Sequence, residues 1–259
     1  MSAEKPRRIK QSLCWGRFTR STPPEQVLQE ALSLGIMGVE LVPQDQWDMF
    51  LENGLTIVGI GAHSHDRFMN GLNRRENHDK IEKELRDNIE VAAQYKIRNL
   101  VCIAGSRGEM SDEEGAANTA ECLLRVAKLA ENNNVTLSIE LLNSKVDHPD
   151  NMADHTAWGV SVCKMVNSPA VKLLYDIYHM QIMEGDLIQT IRDNIDYISH
   201  FHIAGVPGRG NIDDTQEINY RAVMKAIVDT GYDGFVGHEY NPSGDAMKVL
   251  RQAFEICDV

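Results

Sequence analysis

The sequence predicts an α/β protein that folds as a single (β/α)8 TIM barrel over residues 1–259, and three observations indicate this. Short runs rich in β-branched residues alternate eight times with longer amphipathic segments, as expected for parallel strands joined by helices. The length of 259 residues is close to the roughly 250 that one such barrel requires. No linker divides the chain, so we expect one domain.

Each predicted strand is followed by helical or near-helical sequence, which favours parallel crossovers. An open doubly wound sheet that binds a dinucleotide would carry a glycine-rich turn after its first strand. Here the first strand ends in Cys14-Trp15-Gly16-Arg17, without a GxGxxG pattern, so a closed barrel is favoured. The predicted strands are Ile9–Trp15, Gly38–Pro43, Thr56–His63, Asn99–Gly105, Val135–Leu142, Val171–His179, Ile198–Gly205 and Gly234–Asn241.

Helices are predicted where apolar residues recur on one face. The first follows Pro23 and Pro24, because proline is favoured at helix starts. The segment Asp45–Leu51 is short for a barrel helix and is the least regular of them. The four apolar stripes comprise Val27, Ala31 and Leu34; Ile81, Leu85, Ile89 and Ala92; Ala120, Leu123, Leu124, Ala127 and Ala130; and Val223, Ala226 and Ile227.

The charge balance, the apolar runs and the cysteines exclude several classes of protein. With 26 basic and 38 acidic side chains, the net charge of −12 argues against a nucleic-acid partner, whose binding depends on Lys and Arg. No apolar run approaches the roughly 20 residues of a membrane span, and no signal-peptide core follows Lys5, Arg7, Arg8 and Lys10. Five scattered cysteines without a CxxC pair fit a reducing compartment. We therefore expect a cytoplasmic protein, unless a leader has been removed.

Function in such a barrel collects at the carboxyl ends of the strands, and strands five and six carry polar residues there. In strand five, the alternation of apolar and polar residues directs Glu140 inward. The end of strand six offers Asp176 and His179. A single carboxylate at a strand end more often caps a helix or pairs with a loop cation, so neither residue alone indicates a site.

Strands seven and eight continue the same pattern. The alternation in strand seven directs His200 and His202 inward. Strand eight alternates less regularly, so either His238 or Glu239 could face inward. Four consecutive strands that each deliver an inward ligand type are together a stronger indication of a site than any one residue.

The predicted inward carboxylates indicate a cation. Burying Glu140, Asp176 and Glu239 together would cost several kcal/mol for each uncompensated charge, and a divalent metal removes that conflict. Three carboxylates and one imidazole favour a hard or borderline ion, so we expect one divalent metal ion, Mn²⁺ or Mg²⁺ before Zn²⁺ or Co²⁺.

Seven segments spread over most of the chain carry recognisable motifs: Ser138–Asn143, Tyr175–Gln181, His200–Gly205, Glu217–Tyr220, Gly231–Gly234, Glu239–Pro242 and Gly71–His78. In these segments the chain resembles the xylose isomerase-like TIM barrel superfamily, and within it the hydroxypyruvate isomerase family. The late-strand motifs together are specific for the superfamily and less specific for the substrate.

The resemblance implies a metal held by Glu140, Asp176, His202 and Glu239, with the two glutamates as acid–base catalysts. One departure is that some hydroxypyruvate isomerases carry Gln where this chain has His202. Ketose 3-epimerases share the His form. By similarity to those epimerases, His179 and Arg209 would contact substrate oxygens. His63, at the end of the third predicted strand, is a candidate from its position alone, and a loop histidine satisfied by its surroundings is an equal alternative.

The leading hypothesis is a hydroxypyruvate isomerase-like intramolecular oxidoreductase that converts a small hydroxy-keto acid, as in hydroxypyruvate to tartronate semialdehyde, through an enediolate. A second hypothesis keeps the site and changes the reaction to a ketose 3-epimerase, a related sugar-acid isomerase or an inosose dehydratase. A third is a DNA-repair endonuclease of the same barrel type or a binding-only barrel. The expected partner is a small keto acid or ketose, with no nucleic acid and no membrane, and a homo-oligomer stays open.

Overall fold

The computed structural model of the protein describes residues 9–66 and 68–259, so the basic residues Lys5, Arg7 and Arg8 lie outside the described residues. In this part of the chain, nine parallel strands form one sheet in the order β3-β2-β1-β9-β8-β7-β6-β5-β4. They are β1 Lys10–Cys14, β2 Gly38–Glu40, β3 Thr56–Ile57, β4 Gly59–Gly61, β5 Asn99–Cys102, β6 Thr136–Glu140, β7 Val171–Asp176, β8 Ile198–Ile203 and β9 Phe235–His238.

The two ends of this sheet, β3 and β4, are consecutive pieces of one extended run, and this brings the sheet round into a nearly closed barrel. β3 pairs with β2, whereas β4 pairs with β5. Between them the backbone N–H of Val58 bonds to the carbonyl of Val39 at 2.8 Å. The predicted third strand, Thr56–His63, is therefore divided at the point where it changes partners. The predicted (β/α)8 barrel is confirmed.

Ten α-helices in the described ranges connect the strands and cover the barrel, and α2 begins at Pro24 as the proline signal predicts. The segment predicted as a helix over Asp45–Leu51 is a 3-10 turn, Gln44–Gln46, followed by a short helix. The helices are α1 Trp15–Phe18, α2 Pro24–Leu34, α3 Trp47–Glu52, α4 His78–Tyr95, α5 Asp112–Asn132, α6 Thr156–Val166, α7 Ile177–Met183, α8 Leu187–Asn194, α9 Tyr220–Asp229 and α10 Ala246–Cys257.

Several predicted strands extend past the observed ones at their carboxyl ends. The run Val171–His179 is a strand only to Asp176, because the chain turns there into α7. Ile177 and Tyr178 are buried in the first turn of that helix, so the apolar pattern continues across the boundary. A short buried run does not distinguish a strand end from a helix start, which explains the error.

One residue of the predicted apolar stripe on α5 faces solvent. Leu123 is fully buried against the barrel, whereas Leu124 is 54% exposed. Successive helical residues are rotated by about 100°, and the buried face of α5 extends from Leu123 towards Cys122 and Val126, which leaves Leu124 beyond the other edge of that face. The prediction that Leu124 packs in the core was wrong.

None of the helices in the described ranges combines the length and the apolar character needed to cross a bilayer.

We expect the adjacent leucines of α5 to respond differently to truncation. Leu123→Ala removes buried methyl groups and leaves a cavity, so the free energy of unfolding should fall by about 2–5 kcal/mol. Leu124→Ala removes exposed atoms and should change it by less than about 0.5 kcal/mol. Urea unfolding of both variants measures the difference. Equal losses would contradict the placement of the two side chains.

Candidate active site

Four side chains converge at the carboxyl ends of consecutive strands. Glu140 ends β6, Asp176 ends β7, His202 lies near the end of β8, and Glu239 directly follows β9. All four are buried, and one ligand atom from each lies within 4.8 Å of those of the others. The structure therefore brings together the four residues that the sequence identified as candidate metal ligands.

Strand pairing determines which of the two polar residues at the end of β9 faces this cluster. His202 of β8 is paired with Gly237, which fixes the side of the sheet that each residue of β9 faces. His238 points away, since its Nε2 lies 2.7 Å from Oε1 of Gln11, whose amide donates to a backbone carbonyl of α10. Glu239 therefore takes the inward position that the sequence left open between the two.

Asp176 both joins the cluster and begins the next helix. Its Oδ1 accepts a hydrogen bond from the backbone N–H of His179 at 3.1 Å, which caps the N-terminus of α7. The ring of His179 thereby returns to the cluster, with Nε2 located 3.6 Å from Oδ2 of Asp176. Burial raises the pKa of Asp176, and the charge of Arg209 offsets part of this effect.

Asn143, which the sequence analysis did not select, orients His179. Its Oδ1 accepts from the backbone N–H groups of Val146 and Asp147, at 2.9 and 2.8 Å. Its Nδ2 must then be the atom located 2.6 Å from Nδ1 of His179, where the backbone N–H of Asn143 also donates. Nδ1 is therefore an acceptor, and the proton of the neutral ring lies on Nε2, which faces the cluster. Burial, followed by the charge of Arg209, lowers the pKa of His179 to about 3.

Arg209 reaches the cluster from a tight turn after β8. Backbone hydrogen bonds in both directions between Gly205 and Gly210 close this turn, and Arg209 adopts a positive φ of 53° within it. Its Nη2 lies 2.5 Å from Oε2 of Glu239 and 3.5 Å from Oδ2 of Asp176. This predicted substrate contact thus lies beside the candidate ligands and pairs with two of them.

Arg17, on α1, is a second cation that the sequence analysis did not select. Its Nη2 lies 3.0 Å from Oε1 of Glu239, and its Nη1 donates to Oδ1 of Asn241 at 3.1 Å. Glu239 thus has a guanidinium beside each of its oxygens. Burial alone would raise the pKa of Glu239, but Arg209 and then His202 hold it well below its usual range.

Glu40, at the end of β2, lies fully buried beneath the cluster. Its Oε2 is 2.7 Å from Nε2 of His200 and 3.0 Å from Nε2 of His202, and its Oε1 accepts from the hydroxyl of Ser12 at 2.6 Å. Burial alone would raise the pKa of Glu40, but the two histidines lower it well below its usual range. Glu40 lies in the middle of the predicted strand Gly38–Pro43 and therefore gave no strand-end signal, whereas the observed strand ends at this residue.

His63 lies after β4 and holds the backbone of its own region. Its Nδ1 is 2.9 Å from the carbonyl of Ser64, and its Nε2 accepts from the backbone N–H of Ile103 at 3.2 Å. Both ring nitrogens are therefore used within the chain. A substrate contact by His63 stays a prediction, and no free nitrogen of its ring supports it.

The donor atoms of the cluster fit a divalent cation. Nδ1 of His202 lies 2.9 Å from Oε2 of Glu239 and 3.7 Å from Oε1 of Glu140, so a protonated ring is ion-paired with these carboxylates. Burial alone would lower the pKa of His202, but its neighbours Cys14, Glu239 and Glu40 raise it well above its usual range. A metal ion among these oxygens would take the place of the proton on Nδ1. Three carboxylates and this nitrogen form the mixed oxygen and nitrogen set that divalent metals bind.

Comparisons with known proteins agree with this architecture. The family model described as xylose isomerase-like TIM barrel matches residues 28–257. Hydroxypyruvate isomerase of Escherichia coli is 34% identical over 175 residues, which cover 66% of this chain and 67% of that protein. The 2-oxo-tetronate isomerase of Cupriavidus necator is 36% identical over 126 residues, which cover 49% of this chain. The match spans 48% of the C. necator protein and 40 to 44% of relatives from Homo sapiens, Mus musculus and Xenopus laevis.

Solved structures share the fold along nearly the whole chain. AP endonuclease, family 2, from Brucella melitensis has a TM-score of 0.82 and 26% identity, covering 94% of this chain and 96% of that one. An L-ribulose 3-epimerase has a TM-score of 0.76 at 19% identity, covering 95% of this chain and 92% of its own. The IOLI protein, solved with a zinc atom, has a TM-score of 0.71 at 14% identity, covering 96% and 95%.

The contacts of Asn143 generate a stability prediction. Asn143→Asp places a carboxylate beside that of Asp147 and removes the N–H donor to His179, so we expect the free energy of unfolding to fall by about 1–3 kcal/mol. Asn53→Asp is the control, because Asn53 is exposed and its amide makes a single bond to the carbonyl of Met49. It should change stability by less than about 0.5 kcal/mol. Similar urea midpoints for the two variants would show that Asn143 does not hold this network.

Proposed function

The chain belongs to the xylose isomerase-like TIM barrel family, and from this premise we propose that it is a metal-dependent isomerase of small hydroxy-keto acids, of the type that converts hydroxypyruvate to tartronate semialdehyde. The observation that carries the proposal is the pair of buried glutamates, Glu140 and Glu239, which converge with Asp176 and His202 at the carboxyl end of the barrel. The names of the E. coli and C. necator relatives support an isomerase that acts on small keto acids.

Glu140, Asp176, His202 and Glu239 would hold one divalent metal ion. Bound there, the ion would supply Lewis-acid polarisation of the substrate's carbonyl and hydroxyl oxygens. The predominance of carboxylate oxygens favours Mn²⁺ or Mg²⁺, whereas the imidazole also suits Zn²⁺ or Co²⁺. The zinc atom in the IOLI structure shows that a protein with this fold binds a transition metal.

The two glutamates supply the proton transfer. Isomerisation removes a weakly acidic proton from the hydroxymethyl carbon of hydroxypyruvate and adds a proton to the neighbouring carbonyl carbon, while the hydroxyl proton moves to the former ketone oxygen. One carboxylate accepts the first proton and the other carboxyl group delivers the second, so atoms and charge balance. Glu140 and Glu239 come from different strands, which lets them approach the two carbons from different directions. Which glutamate accepts the first proton stays open.

The remaining polar groups suit an anionic substrate whose negative charge increases during the reaction. The Nε2–H of His179 faces the cluster and has no hydrogen-bond partner, so it is available to donate to a substrate oxygen. The guanidinium groups of Arg17 and Arg209 lie on either side of Glu239. A guanidinium binds a carboxylate with two parallel hydrogen bonds, which favours a keto acid over a neutral sugar.

A ketose 3-epimerase, a related sugar-acid isomerase or an inosose dehydratase is the second candidate, because all of them would use the same ligand set. The observation that favours it is His202, which faces the cluster where some hydroxypyruvate isomerases carry Gln. A panel of keto acids and ketoses distinguishes the candidates. Solvent deuterium at the carbon that gains the proton identifies the reaction.

Neutralising either glutamate should abolish turnover. Glu140→Gln and Glu239→Gln keep the size of the side chain and remove the proton-transferring carboxylate, so we expect kcat to fall by at least about 100-fold. Glu113→Gln, at an exposed position on α5, is the matched control and should keep full activity. Proton NMR of hydroxypyruvate incubated with Mn²⁺-loaded protein follows the semialdehyde. Full activity in both site variants would exclude this mechanism.

Metal binding should stabilise the folded protein. A ligand that binds only the native state at about 100 times its Kd adds about 2.7 kcal/mol, so Mn²⁺ should raise Tm and a chelator should reverse the change. Asp176→Asn should remove most of the shift. Asp193→Asn, at an exposed position on α8, should retain it. An equal Mn²⁺-induced shift in both variants would place the metal elsewhere.

A further inference from the structure

We propose that Glu40 is a positioning residue that holds the ring of His202 through its Nε2–H, so that Nδ1 faces the metal ligands. This inference rests on the proposed metal site. It concerns a residue on β2, in the half of the barrel that contributes none of the four candidate ligands. Its consequence is that metal affinity depends on a carboxylate that does not touch the metal.

The hydrogen bonds around Glu40 determine which nitrogen of His202 is free. An ionised carboxylate can only accept, so each group in contact with it must donate. The three donors are the hydroxyl of Ser12 on Oε1, and Nε2 of His200 and Nε2 of His202 on Oε2. Because Nε2 of His202 donates to Glu40, Nδ1 is the nitrogen that a metal ion can bind once its own proton is released.

The surroundings of Nδ1 agree with this assignment. The atom lies 3.7 Å from Oε1 of Glu140 and 2.9 Å from Oε2 of Glu239, an ion pair when the ring carries a second proton. A metal ion at the same position would replace that proton and bind the nitrogen. Metal-binding histidines commonly donate their second ring N–H to a carboxylate, which fixes the tautomer and the ring orientation.

Small residues on the two intervening strands allow Glu40 to reach His202. β1 and β9 lie between β2 and β8 in the sheet. The interior residues there are Ser12 on β1 and Gly237 on β9, which are directly paired with each other. A Cβ on Gly237 would lie 2.2 Å from Oε1 of Glu40 and 3.0 Å from Cδ2 of His202. The space that glycine leaves is therefore occupied by the carboxylate.

Glu40→Met tests the role, because methionine keeps a long unbranched side chain and removes the acceptor. We expect its affinity for Mn²⁺, measured by calorimetric titration of the purified full-length protein, to fall by about 10- to 100-fold. Glu40→Gln retains one acceptor oxygen for the two histidines and should recover most of the affinity. A side chain that only filled space would show no such difference between Met and Gln.

Gln11→Met is the matched control. Gln11 is also a buried strand residue, and its Oε1 lies 2.7 Å from Nε2 of a histidine, His238. That histidine faces away from the candidate ligands, so the variant should bind Mn²⁺ as the wild type does. Equal losses of Mn²⁺ affinity in Gln11→Met and Glu40→Met would show that general disruption of the core causes the loss, and would overturn the proposal.

Nitrogen-15 NMR of the Zn²⁺-loaded wild type provides a second measurement that does not depend on whether Glu40→Met folds. We expect a proton on Nε2 of His202 and none on Nδ1, and the reverse would overturn the proposal. One outcome would overturn only the role of Glu40: the wild type binds Mn²⁺, Asp176→Asn does not, and Glu40→Met binds it as tightly as the wild type. If the wild type binds no Mn²⁺, the proposed function fails together with it.

Discussion

Four carboxylates share the water-poor carboxyl end of this barrel, and balancing their charge is the constraint on which the rest of the site depends. Each is at most 7% exposed, so each would be costly without a partner of opposite charge or a set of hydrogen-bond donors. The surrounding polar residues are arranged to meet this need. The four buried carboxylates are those of Glu40, Glu140, Asp176 and Glu239.

The groups that balance the negative charge differ from one carboxylate to the next, and these differences distinguish structural roles from proposed chemical ones. Glu40 has its donors within the barrel and is satisfied by the protein alone. Glu239 lies between two guanidinium groups, and Asp176 uses one oxygen to cap α7. Nδ1 of His202 lies among the oxygens of Glu140 and Glu239, where either a proton on the ring or a metal ion would balance their charge. That position connects the packing of the barrel to its proposed metal chemistry.

The barrel itself does not select the reaction, since proteins named as an AP endonuclease and as an L-ribulose 3-epimerase share it. The proposed preference for an acid over a neutral sugar rests on the two guanidinium groups beside Glu239, of which the sequence indicated Arg209 but not Arg17. Arg17 gave no local signal, because an arginine in a short helix after the first strand is ordinary. Only its contact with Glu239, 222 residues away in the chain, identifies it.

The sequence by itself indicated the barrel class, the order of its strands and helices and inward polar residues on the last four strands, because hydrophobic alternation and polar strand ends are local properties. The set of four candidate ligands came from the resemblance to the family. The tertiary structure decided three further points. Strand pairing turned Glu239 rather than His238 inward, and the change of partner at Val58 divided one predicted strand into two. The tertiary structure also brought Glu40 into contact with His200, which lies 160 residues away in the chain. These outcomes depend on which strands become neighbours, and no local pattern encodes that.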